Sequence, residues 1–173
     1  MNQFRTFAVD NAPADFGQNF VRSDAFRALF REGMLLVEET ASYLDGPGRG
    51  ESRALERTAA LTFASESMRL TTRLMQIAAW LLVQRAGAEG EITTSQAREE
   101  RRRVTLVTSD QPQSVGDVDA MPERLRELIG LSLRLHARLI HLDTLIGEAR
   151  ESAQPAASPV AAQHGLLRMA FGG

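Results

Sequence analysis

The sequence predicts an all-α protein, an antiparallel three-helix bundle with a long second helix. Two observations lead there: apolar residues recur at alternating steps of four and three along three long segments, and those segments are separated by residues that cap or end helices. A third bounds the answer, because 173 residues are enough for one ordinary domain with a full core and too few for two comfortable ones. The reading divides the chain into an N-terminal extension over 1–22, a helical bundle over 23–151 and a flexible C-terminal tail over 152–173.

The first helix starts near Ser23 or Asp24, whose side-chain oxygens can accept from first-turn amides, and stops at Asp45-Gly46-Pro47-Gly48. Phe26, Phe30, Gly33, Val37, Thr40 and Leu44 share one face, while Arg31, Glu32, Glu38 and Glu39 point elsewhere. The second helix runs from about Glu51 to about Ala88, where Gly87 and Gly90 break the pattern. It carries two apolar stripes. One is Leu61, Ala64, Met68, Thr71, Met75, Ala78 and Leu82; the other is Phe63, Leu70, Leu74, Ile77 and Leu81, so two packed neighbours are expected. A third face, with Glu66, Arg69, Arg73, Gln76, Trp80 and Gln84, is expected to see solvent.

A short helix over Thr93 to Arg103, opened by Thr94 or Ser95, is expected to bury no face because of its charge cluster from Arg98 to Arg103. Val104 to Ala120 mixes small, polar and proline residues and reads as a mobile loop. The last helix starts at Pro122, where a missing amide is harmless, and ends near Glu151. Its seam, Met121, Leu125, Leu128, Ser132, Leu135, Leu139, Leu142 and Ile146, keeps the four-three spacing without a slip. Beyond it, Ser152 to Val160 is rich in Ala, Pro and Ser and reads as a linker to the apolar segment Leu166, Leu167, Arg168, Met169 and Phe171.

Chemistry is excluded more readily than assigned. The formal charge of -2 argues against a dedicated nucleic-acid or anionic-membrane binder. Without cysteine there is no disulfide, thiolate zinc site or cysteine nucleophile, which suits a reducing cytoplasm. The start, Met1 to Asp24, lacks the basic opening and apolar core of a secretory signal, so export by that route is not expected. The longest apolar run, Ile77 to Val83, is far short of the roughly 20 residues of a membrane span. All twenty basic residues are arginine, a bias to which no role is attached.

No catalytic constellation is present, and neither metal nor cofactor is expected. His136 and His141 are five apart on a helix, so their side chains point more than about 100° from each other and do not share a metal. Gly46-Pro47-Gly48-Arg49-Gly50 lacks the preceding strand and the lysine of a phosphate loop. The competing function class is a histidine phosphotransfer protein using His136, since such proteins are helical bundles; against it, His136-Ala137-Arg138-Leu139 lacks the lysine and glycine that usually follow. For protein binding, the candidates are Trp80 with Arg69 and Arg73 on the bundle, a large aromatic on a polar stripe, and the leashed Leu166, Leu167, Arg168, Met169 and Phe171.

The stretches Glu32-Gly33-Met34-Leu35-Leu36-Val37-Glu38-Glu39-Thr40-Ala41 through Tyr43-Leu44-Asp45-Gly46, and Glu66-Ser67-Met68-Arg69-Leu70-Thr71-Thr72-Arg73-Leu74-Met75-Gln76 through Trp80-Leu81-Leu82, closely resemble the alphaproteobacterial RcdA family, regulators of CtrA degradation. The match covers the first two helices, with a weaker likeness from Glu91 onward. The resemblance implies a homodimeric three-helix bundle that acts as a non-enzymatic adaptor for the ClpXP protease in cell-cycle-controlled proteolysis. It implies as partners a priming response regulator, a cyclic-di-GMP effector protein and transcription-factor cargo such as CtrA. It also implies a cytoplasmic location that allows recruitment to a cell pole.

Overall fold

A computed structural model describes residues 19–104, 106 and 118–153. Within them the chain forms α1 (Asp24–Asp45), α2 (Pro47–Ala54), α3 (Arg57–Glu89), α4 (Thr94–Arg103), a 3-10 turn at Val118–Ala120 and α5 (Glu123–Ala153). The all-α class and the long central helix hold, and there is no strand among the described residues.

Helix α1 begins as its sequence indicates, with the Ser23 hydroxyl accepting from the Phe26 amide at 3.3 Å, and it ends where the Gly46 amide donates to the Ser42 and Tyr43 carbonyls. Its buried face is Phe26, Leu29, Gly33, Leu36, Thr40 and Tyr43. The expected face therefore shares Phe26, Gly33 and Thr40 with the observed one, while Phe30, Val37 and Leu44 sit on its flank, partly buried against the core. Just upstream, residues 19–22 add a helical turn that puts Val21 in the core and sets Phe20 edge-on to Phe26 at 5.9 Å.

The expected turn at Asp45-Gly46-Pro47-Gly48 is instead a one-residue joint into α2. Pro47 occupies the first helical turn, where its missing amide costs nothing and its fixed φ favours the helix. The expected single helix from Glu51 to Ala88 is likewise two helices, broken where Leu55 turns to an extended backbone (φ -76, ψ 148). Neither Gly nor Pro marks that break. What holds α2 against α1 is tertiary: the Tyr43 hydroxyl donates to Glu51 Oε2 at 2.5 Å, and Leu55 packs on the core.

Helix α3 ends at Gly90, whose positive φ of 74° is the left-handed cap that glycine takes without strain. Thr93 then opens α4 with a full capping box, its hydroxyl accepting from the Gln96 amide and the Gln96 side chain accepting from Thr93. The cap thus lies one residue before the expected Thr94 or Ser95. Contrary to expectation α4 has an inner face: Ala97 is buried, and Arg101 is tied to Asp143 on α5.

Contacts fix the helix directions. Gly33 faces Ile77, Leu81 and Leu135, and a Cβ there would collide with Leu81 Cδ1, so a glycine is what lets α1 lie this close to α3. Arg85 stacks on Phe30, while Arg138 pairs with Glu32 and Arg124 with Glu39, so α1 runs antiparallel to both α3 and α5. Arg73 meets Ser132, and further along both helices Trp80 meets Asp143, so α3 and α5 run the same way. The core is built from Leu70, Leu74, Ile77 and Leu81 of α3 with Leu125, Leu128, Leu135, Leu139 and Ile146 of α5, and the predicted seam of α5 holds throughout.

Candidate protein-binding site

Helix α3 buries the expected stripe of Phe63, Leu70, Leu74, Ile77 and Leu81, but its other two faces are exchanged relative to the sequence pattern. The face expected to see solvent is packed: Trp80 is 1% exposed, Glu66 and Gln84 are buried, and Arg69, Arg73 and Gln76 are half-buried. Two of the polar groups there are held by partners far away in the chain, which sequence spacing cannot reveal. Trp80 Nε1 and Arg101 Nη2 both donate to Asp143 Oδ1, each at 2.9 Å, which clips α3, α4 and α5 together. Arg73 Nη1 donates to Ser132 Oγ at 2.8 Å, and that hydroxyl donates to the Ile129 carbonyl at 2.7 Å, so the one polar member of the α5 seam is an anchor for arginine. Arg69 is paired with Glu66 at 2.6 Å. Burial holds the Arg73 guanidinium below its ordinary value, with Glu66 acting in the opposite sense. Trp80 is thus a structural residue, and the expectation of a solvent-facing Arg69, Arg73 and Trp80 surface is corrected.

His136 sits beside this cluster, buried on α5, with Nε2 lacking a hydrogen-bond partner. Burial first, and the Arg73 charge second, push its imidazole below the usual range, so the neutral form is favoured. A phosphoryl acceptor needs an accessible nitrogen. Among the described residues no group of His, Asp and Glu is arranged to hold a metal ion. No helix among them is long and apolar enough to cross a membrane.

The opposite face of α3 is where the structure differs most from an ordinary surface. Leu61, Met68, Met75 and Leu82 are 66%, 73%, 68% and 51% exposed. They recur every seven residues, over about 32 Å at the helical rise per residue. Between Arg57 and Arg85 every exposed residue of α3 is uncharged, because the three charged residues of that span are covered, Glu66 buried and Arg69 and Arg73 half-buried. Even the polar neighbours are blunted: the Thr71 and Thr72 hydroxyls donate back to the Ser67 and Met68 carbonyls, at 2.9 and 3.0 Å. A long apolar stripe with small Ala64 and Ala78 beside it is suited to another helix lying in a left-handed seam. The stripe was legible as a packing surface, and among the described residues none covers it. Leu166, Leu167, Arg168, Met169 and Phe171 lie outside the described residues.

No curated protein matches the chain. The crystal structure of RcdA from Caulobacter crescentus CB15 is similar to it, with 48% identity and a TM-score of 0.61, over 75% of this chain and 96% of that one. The family described as Protein of unknown function (DUF1465) matches residues 17–171. With that match over most of its length, and with the RcdA likeness first carried by its two N-terminal long helices, the chain belongs to this family.

Proposed function

We propose that the chain is a non-enzymatic adaptor that binds transcription-factor cargo such as CtrA and delivers it to the ClpXP protease together with a priming response regulator. The observation that carries the reading is the outward face of α3, an uncharged stripe of Leu and Met that a protein working alone would not expose. The similarity to RcdA supports the regulatory role. In this reading the stripe makes the chain a homodimer by pairing with itself about a twofold axis, which a heptad-spaced row of similar residues accommodates.

The remaining surface of the bundle holds cargo, and the segment Leu166 to Phe171 engages the primed protease, raising the local concentration of cargo without a tight contact. A cyclic-di-GMP effector protein is a further partner, and the protein works in the cytoplasm with recruitment to a cell pole. Phosphotransfer through His136 is not favoured, because its Nε2 is buried. The test is degradation of purified CtrA by ClpXP and the priming response regulator, with and without this chain. Faster loss of CtrA in its presence is expected, and an unchanged rate across several cargoes would refute the reading.

A further inference from the structure

A groove of about 660 Å³ opens between the start of α1 and the end of α3, and none of the four Leu and Met stripe residues lines it. Its apolar wall contains Phe26 and Phe30, with the Arg85 guanidinium 5.2 Å above the Phe30 ring. Four arginines line it: Arg22, Arg27, Arg31 and Arg85. Two are already matched, Arg27 by Asp24 at 3.0 Å and Arg85 by Glu89 at 2.9 Å. Arg22 and Arg31 are exposed and have no carboxylate partner among the described residues. The groove therefore presents two uncommitted cations around an aromatic wall.

From this complementarity we infer that the groove docks an acidic peptide segment of a partner protein, one with a large apolar anchor flanked by carboxylates. The anchor packs beside Phe26 and Phe30, where Arg85 already shows that the Phe30 ring takes a flat or cationic neighbour on its face. The carboxylates meet Arg22 and Arg31, whose planar guanidinium groups bind such groups through paired hydrogen bonds. Arg22 precedes α1 and Arg31 lies two turns into it, nine residues or roughly 13 Å further along at the helical rise. In an extended peptide that spacing corresponds to acidic residues about four positions apart. None of the four stripe residues lines this groove, and the inference does not depend on the delivery reading.

The test is fluorescence anisotropy of a labelled extended peptide, a phenylalanine flanked by aspartates at that spacing, titrated with the full chain. Saturable binding is expected, with a loss of roughly tenfold or more in the double variant Arg22→Glu/Arg31→Glu and in a peptide with asparagine for aspartate. Both arginines are exposed, so unchanged circular dichroism of the variant keeps the comparison interpretable. Absent binding, or binding indifferent to both changes, overturns the inference. A wild-type dimer that the charge reversal converts to monomer assigns the groove to a second copy and overturns it too. The assay contains no protease, so a failed delivery experiment and a failed binding experiment are told apart.

Discussion

Replacing Asp143 with alanine should loosen three helices at once, since its Oδ1 accepts from Trp80 on α3 and from Arg101 on α4 while the residue itself sits on α5. The Trp80 indole N–H is left buried and unpaired, which costs about 1–3 kcal/mol. The Arg101 pair is partly solvated, with the Asp143 side chain 39% exposed, so its loss adds only about 0.5–1 kcal/mol. The total expected for Asp143→Ala is about 1.5–4 kcal/mol. Asp143→Asn keeps an acceptor for the indole and gives up the charge, so about 1 kcal/mol is expected. Urea denaturation gives these values directly, and Trp80, the single tryptophan, reports the local environment through its emission. Hydrogen exchange should show α4 losing protection before α1 does. An Asp143→Ala midpoint within about 0.5 kcal/mol of the parent would refute the clip.

Three further outcomes follow from the packing. Gly33→Val places a branched side chain against Leu81, which is fully buried and has nowhere to retreat, so a loss of about 1–3 kcal/mol is expected from thermal unfolding. His136 is held neutral in the fold, so below its ordinary value of 6.5 the unfolded chain binds more protons. Stability from this group is fully present above that value and is lost as pH falls below it; denaturation midpoints at pH 7 and pH 5 should differ less in His136→Gln than in the parent. Tyr43→Phe removes the hydroxyl that donates to Glu51 and should loosen α2 from α1 by about 0.5–1.5 kcal/mol, read as faster exchange of α2 amides.

How much the sequence conveyed depended on whether a residue's partner was near in the chain. The α5 seam from Met121 to Ile146 reads directly, because one helix with one apolar face has one way to pack. The Ser23 cap of α1 and the glycine end of α3 are local chemistry and were equally legible. Helix α3 was not, since two apolar stripes and one polar face leave three choices of inside. Trp80 and Arg73 could be buried only because Asp143 and Ser132 stand opposite them, about sixty positions away in the chain. The same distance problem hid the inner face of α4, whose Arg101 looked like one more solvated charge. The joint between α2 and α3 has no glycine or proline to announce it, and only the docking of Leu55 and Glu51 explains it. Of the candidate site, the apolar stripe was read as a packing surface, and among the described residues it stands exposed.

The outward face of α3 as a self-pairing protein interface is tested most directly by the solution mass of the chain and of Met68→Glu/Met75→Glu, measured by light scattering at tens of micromolar. Both methionines are largely exposed, so the double variant should unfold at nearly the parent's midpoint. The account predicts the mass of two chains for the parent and of one chain for the variant. A parent that is monomeric, or a variant that still pairs, would contradict it.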